Sequence, residues 1–303
     1  MPPILTGTIT KALYPGVSAW YGMAYDEHSP EYPQIFAFNK SSRNFEEEVG
    51  LTGFGLAEVK TEGESISYDT QVQGYVQRYT HIEYGKGFII TRNAVDDNLY
   101  DVVAKRRSRA LAFSMRQTKE VVGANILNRA FSNSYVGPDG VELCSALHEN
   151  ITGGTWANEL ATAADLSETA LEQACIDIGD FEDDRGMKIA VRPLRLIIPI
   201  QLEFEAGRIL TSDLQSGTAN NDKNILKSTG KFPGGVHANH YLTDADAWFI
   251  ITDAPDGMKH YERRADDFGA DSDFDTENAK FKATSRYSFG CTDRRGIFGS
   301  PGG

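Results

Sequence analysis

GYVQRYTHIEYGKGFIITR (Gly74–Arg92) is the stretch on which the reading of this chain turns. It mixes polar and apolar side chains on both faces and runs directly into a long helical pattern. A strand that is half apolar on both sides has no single face to offer a core of its own. Its partner is expected in another molecule. Ile35–Phe131 as a whole therefore reads as an extended, glycine-punctuated ribbon feeding one spine helix, and it points to assembly before chemistry.

Before Gly74 the ribbon reads as a β-hairpin. One arm is Leu56–Lys60, the tip is TEGES (Thr61–Ser65) with Gly63 supplying the turn, and the return begins at Ile66. Gly74, Gly85 and Gly87 read as breaks where the return strand twists or bends. After it, Asp96-Asp97-Asn98 offers capping side chains and charge suited to a helix start. Leu99 to Phe131 contains no proline and one glycine, Gly123. Apolar residues at 99, 102, 103, 110, 113, 121, 122, 126 and 127 follow helical spacing. At 1.5 Å per residue such a helix is about 45–50 Å long, a scaffold spine. Its heptad is too irregular for a coiled coil. Gly123 costs about 1 kcal/mol against Ala in a helix interior, so it marks close packing or a bend.

Residues 1–34 are rich in Tyr, Pro and Gly. Pro15, Pro30 and Pro33 argue against a regular helix. An extended arm is expected, docked through Tyr14, Trp20, Tyr21 and Tyr25 onto a neighbouring surface. Beyond the spine, 132–160 is loop-like. Asp165 with Glu168 resembles a capping box for a helix with Leu166, Ala170, Leu171, Ala174 and Ile178 inside and Gly179 at its end. Arg195–Ile198 reads as a central buried strand, and Pro199 as the start of the helix PIQLEFEAGRIL. A short helix within Asn220–Gly230 and strands at Val236–Leu242 and Ala247–Thr252 complete a compact α/β unit. Lys280–Phe289 is again strand-like, followed by a glycine-rich end. The expected organisation is arm 1–34, ribbon and flanking strands 35–92, spine 93–134, α/β lobe 135–257 and returning strands 258–303.

The 303 residues, 40% hydrophobic, suffice for one or two cores. No apolar run reaches membrane-spanning length. The N-terminus lacks a basic region followed by an apolar core, so no secretory signal is expected and the location read is the cytoplasm of the producing cell. The net charge of −13 disfavours direct wrapping of nucleic acid. Acid is concentrated at Asp180–Asp184, Asp266–Asp267 and Asp271–Glu277, which read as solvated loops or as a surface that repels nucleic acid. The basic run Lys105-Arg106-Arg107 with Arg109 reads as a solvated helix face or a set of subunit salt bridges. Cys144, Cys175 and Cys291 have no metal or disulfide spacing and read as reduced thiols.

Phosphate loops, nucleophile elbows, zinc-helix motifs and dinucleotide fingerprints are missing from the sequence. His237, His240, Asp244 and Asp246 form the best metal candidate, but they fall on a strand and turn where side chains diverge. Cys144 with His148 lacks an orienting group. Glu203 and Glu205 point apart on either a helix or a strand. No catalytic, cofactor-binding or metal-ligating residue is assigned.

The order of these elements resembles the major capsid proteins of tailed phages of the Hong Kong 97 type. FIITRNAVDDNLYDVVAKRRSRALAFSM, TKEVVGANILNRAF, RPLRLIIPIQLEFEAGRIL and TSRYSFGCTDRRGIFG carry the likeness, which covers nearly the whole chain. It implies an α+β, HK97-like capsid fold with an N-terminal arm, extended β-hairpin loop, spine-helix peripheral domain and α/β axial domain. It further implies a structural, non-enzymatic protein that self-assembles into hexamers and pentamers of an icosahedral shell enclosing double-stranded DNA, without a cofactor. Scaffolding, portal and decoration proteins are the separate partners that go with it, and an arm that begins almost at Met1 implies a separate scaffold or none. The implied location is the virion, with assembly in the host cytoplasm. Some members cross-link a lysine to an asparagine. Lys60 sits where a donor would be, but one lysine near a tip does not assign that reaction. Two alternatives remain: an encapsulin-like compartment shell, and a metal-dependent hydrolase using His237, His240 and Asp244.

Overall fold

The computed structural model describes residues 17–27, 29–96, 100–215, 222–273 and 275–303. Two four-stranded sheets and a projecting ribbon organise the chain. The first sheet has the order β1 (Ala37–Lys40), β10 (Met258–Ser272), β11 (Ala279–Cys291), β4 (Ile82–Ile90). β10 and β11 form a long antiparallel hairpin, paired from Met258↔Cys291 to Ser272↔Ala279, and β4 lies antiparallel to β11. The second sheet has the order β12 (Ile297–Ser300), β9 (Trp248–Thr252), β7 (Pro193–Pro199), β8 (Val236–Asn239). The ribbon pairs β2 (Phe45–Leu51) with β3 (Gln73–Thr80), and β5 (His148–Glu149) pairs with β6 (Thr155–Trp156).

The spine is α3 (Tyr100–Asn128), preceded by the short α2 (Arg92–Asp96). Its 29 residues span about 43 Å. Of the expected cap, Asp96 is the last residue of α2, and Asp97 and Asn98, with Leu99, lie outside the described residues. The buried face is not the stripe read from the sequence. Phe113 and Val121 are exposed, while Ala104, Ser108, Leu111, Ala112, Met115, Lys119 and Leu127 are buried. Small and polar residues let the helix lie close to the sheet, and a purely apolar period misses that choice. Gly123 belongs to this close packing: a Cβ there would stand 3.4 Å from the Phe289 ring and 3.5 Å from Tyr32.

The described residues of the segment 1–34 differ from expectation. Residues 17–25 are helical, α1, because no proline interrupts Val17–Tyr25. The docking surface of its aromatics is this chain's own first sheet and spine. Tyr21 is buried and stacks on Phe268 at 5.0 Å, and Arg116 Nη1 donates to the Tyr25 carbonyl at 2.5 Å. Tyr14 lies outside the described residues.

The second lobe follows the sequence more closely. β9 (WFIIT) is buried at every position, and β7 lies between β8 and β9, as its apolar run predicts. Leu166, Ala170, Leu171, Ala174 and Ile178 all enter its core, four of them from α4 (Glu168–Gly179). The cap is Ser167, whose side chain accepts from Ala170 N, rather than Asp165. Asp165 instead accepts from Gly303 N at 2.9 Å. Pro199 precedes a 3-10 turn, Ile200–Leu202, leading into α5 (Glu203–Thr211). The short helix α6 (Ile225–Thr229) carries an Asn224 cap and a left-handed Gly230. The glycine-rich end is not a tail: β12 is wholly buried and pairs with β9. The last residues of 258–303 thus leave the first sheet for the second. Between the lobes, Ile35, Phe36, Leu127, Phe249, Met258 and Ile297 share a third core.

Candidate functional site

Between β2 and β3 the chain runs through residues 52–72 without ladder pairing. The arm expected at Leu56–Lys60 is therefore not a paired strand, and pairing lies further back, from Phe45↔Thr80 to Leu51↔Gln73. The turn is at Glu62-Gly63, where Gly63 has φ +91 and Glu64 N donates to the Thr61 carbonyl at 3.2 Å. Leu56 is 83% exposed, Val59 92%, Ile66 64% and Tyr68 94%. Gly85 and Gly87 sit in continuous β4, where they allow close approach to β11. A Cβ at Gly87 would come within 2.5 Å of the Phe281 carbonyl oxygen. The break between the two strands falls at His81 instead.

The ribbon is mounted by charge. Glu48 of β2 accepts from Lys259 Nζ, the Tyr261 hydroxyl and the Thr292 hydroxyl, with Lys259 at 2.5 and 2.7 Å from its two oxygens. Burial alone would raise the Glu48 carboxyl. The hydrogen bonds from Lys259, Thr292 and Tyr261 together hold it below its ordinary value. Tyr79 of β3 shares a 2.6 Å hydrogen bond with Thr292, and His81 bridges Ser288 and Ser41. Further out, Asp69 Oδ2 accepts from Gly55 N at 2.8 Å and from Arg185 Nη1 at 2.7 Å. Arg185 Nη2 also donates to the Thr70 carbonyl. Both limbs of the ribbon are thereby tied to the 181–187 loop of the second lobe.

The other sequence candidates do not converge. His240 Nδ1 lies 2.6 Å from Glu31 and His237 Nε2 lies 4.0 Å from it. Burial keeps His237 below the usual histidine value even though Glu31 opposes the shift. Asp244 accepts from Asp246 N. Among the described residues no group of three or more His, Cys, Asp or Glu is arranged to hold a metal. Glu31 works as a joint: Glu120 of the spine accepts its backbone N–H and that of Tyr32, each at 3.0 Å. His148 is engaged by Asp139 at 2.6 Å and Asn158 at 3.1 Å, and burial pushes the Cys144 thiol well up. Glu203 and Glu205 lie on the first turn of α5, two residues apart and so on different faces.

The acidic loops are only partly free. Asp180 and Glu182 pair with Lys188, Asp184 with Arg295, and Asp273 with Lys280. Glu48, Asp69, Arg185 and Glu31 carry these ties without any motif around them in the sequence. Their one local signal is charge placed in otherwise apolar or turn-rich segments, and their partners lie up to 244 residues away.

Against known proteins, the phage capsid protein family matches residues 74–299, well over half of the chain. No curated protein matches the sequence. Among solved structures, the chain is similar to the capsid of the native GTA particle, with a TM-score of 0.54 and 15% identity over 89% of this chain and 90% of that one. It is similar to the virus-like particle from Pyrococcus furiosus, at 0.52 and 11% over 94% and 97%. It is likewise similar to the procapsid of bacteriophage JBD30, at 0.52 and 14% over 98% and 76%. The fold is the HK97-like capsid fold expected from the order of elements. The encapsulin-like alternative is not favoured, and the hydrolase reading is set aside. The family match places the protein in the virion capsid. Two lobes with closed cores, a ribbon with none, and a family match over most of the length converge: the chain belongs to the phage capsid protein family and is a structural major capsid protein, not an enzyme.

Proposed function

We propose that copies of this chain form hexamers and pentamers that close an icosahedral head around double-stranded DNA. The observation that carries the reading is the ribbon, whose apolar residues Leu56, Val59, Ile66 and Tyr68 find no cover in their own subunit. Extended elements of this kind bury area only when a neighbour is present. The working units are arm 1–34, ribbon 35–92, spine 93–134, axial lobe 135–257 and returning strands 258–303, with β12 lent to the axial sheet. The net charge of −13 suits a wall that does not hold on to its DNA. Other copies are the first partners. A portal, scaffolding and decoration proteins follow as separate chains, with assembly in the host cytoplasm.

Gel filtration followed by negative-stain electron microscopy of the purified protein tests this. Closed shells, or rings of five and six, are the expected result. A monomer or dimer at every salt concentration would overturn it. Shells filled with cargo enzyme in place of DNA would redirect the reading to a compartment.

A further inference from the structure

A cavity of about 380 Å³ opens where the root of the ribbon, the end of the spine, the 135–138 turn and the end of β11 meet. Three arginines line it: Arg78 from β3, Arg129 just past α3, and Arg294 from the turn before β12. Asn125 adds an amide, and Tyr135 and Phe289 add aromatic wall. At this size it falls at the small end of ligand pockets, which run on the order of 300–1,000 Å³.

The positive charge here is only partly answered. Arg294 is buried, its side chain 8% exposed, and its Nε lies 3.4 Å from Asp139 Oδ1 without a hydrogen bond. Asp139 is shared with His148, 2.6 Å away. Gly137 makes room for the Arg294 guanidinium, since a Cβ there would fall 1.4 Å from Nη2. Arg129 lies over the Tyr135 ring at 4.2 Å and has no carboxylate partner among the described residues. Arg78 lies over the Phe45 ring at 3.9 Å and stands 3.8 Å from a half-exposed Glu47. In a chain of net charge −13, guanidinium outnumbers carboxylate at this one cavity.

A guanidinium presents its N–H donors as a planar fork that matches phosphate oxygens two at a time. Stacking on Tyr135 and Phe45 sets the planes of Arg129 and Arg78 before any ligand arrives, so less freedom is lost on binding. We infer that this cavity is a phosphate-binding site, with Arg78, Arg129 and Arg294 as its donors. The net charge repels an extended polyanion more strongly than a compact anion, so the source is free phosphate or a small phosphate ester rather than the DNA backbone. All four segments belong to one copy, so the site is complete in the subunit and stands whether or not shells form. A phosphate held there braces the root of the ribbon against the spine and the second lobe.

The test is inorganic phosphate titrated into the full chain, against chloride at matched ionic strength. Phosphate should raise the melting temperature and slow amide exchange in β3, and chloride should do neither. Arg129 is exposed, so Arg129→Gln should melt with the wild type in buffer alone, yet bind phosphate at least tenfold more weakly by calorimetry. R78Q/R129Q should abolish binding. No phosphate response in the wild type, or an equal response in R78Q/R129Q, would overturn the inference. A short DNA duplex added to phosphate-loaded protein separates the sources. It is expected to displace nothing, and displacement would overturn the assignment to free phosphate and give the site to the DNA backbone.

Discussion

The second lobe and the ribbon are built from similar proportions of apolar residue and treat it in opposite ways. In the lobe, β7, β9 and α4 each have an apolar face, and each face meets another from the same chain. In the ribbon, Leu56, Val59, Ile66 and Tyr68 face solvent, and charged contacts at Glu48 and Asp69 hold the limbs in place. Burial is non-directional and pays only where chain is folded against chain. Ion pairs and hydrogen bonds are directional and can aim a segment that has no core. One region is stabilised within the subunit, and the other is positioned for contacts outside it.

The comparison breaks most sharply at Trp248, which is fully buried and whose Nε1 donates to the Ala164 carbonyl at 3.1 Å. Trp248→Ala should cost about 3–5 kcal/mol, read by chemical denaturation of the subunit. A loss under 1 kcal/mol would mean the lobe core is not what holds the subunit together.

Next in size is His260, buried between β1 and β11 with its ring 4.4 Å from Phe289. Burial, with the Lys119 charge adding to it, lowers its pKa to about 3. The folded ring stays neutral down to that pH, while the unfolded chain binds a proton below its ordinary value near 6.5. Stability should therefore be fully present above pH 6.5 and fall by up to ~1.4 kcal/mol per pH unit below it. His260→Phe should flatten that slope in pH-dependent melting, and an unchanged slope would remove His260 from the acid response.

Glu48→Gln tests the mount of the ribbon and should cost on the order of 1–3 kcal/mol. The wild-type carboxyl is held below its ordinary value, so its contribution is present above that value and disappears as pH falls through the folded one. Faster amide exchange in β2 and β3, with unchanged exchange in β7 and β9, is the expected signature. Uniform loosening of both regions would show that the mount is not local.

The smallest effect on the subunit and the largest on the assembly should come together. Deleting Ala57–Tyr68 removes exposed residues only, so the subunit melting temperature should hold while stable shells disappear. Shells of normal stability from this variant would sink the idea of the ribbon as a clasp.

Some of the molecule was legible because its determinants are local. Apolar runs at Arg195–Ile198 and Ala247–Thr252, the helical stripe from Leu166 to Ile178, and the proline-free spine follow from side-chain period and backbone sterics alone. The same local chemistry marked the stretch around Gly63 as a turn, but it assigned the partner of Gly74–Arg92 to another molecule, whereas β3 pairs with β2 and β4 with β11 of the same chain, because those strands lie far off in sequence. Other features are long-range and were settled only when the chain closed on itself. The spine's true buried face, with Ser108 and Lys119 in it, depends on how closely β4 and β11 approach. The N-terminal helix forms against Phe268 and the spine, Ser167 displaces Asp165 as cap, and β12 leaves the first sheet for the second. The Glu48 and Asp69 ties join residues 211 and 116 positions apart. Periodicity and propensity act over a few residues and determine which segments become strands and helices, whereas a charge finds its partner only once tertiary packing has brought distant segments within a few ångströms.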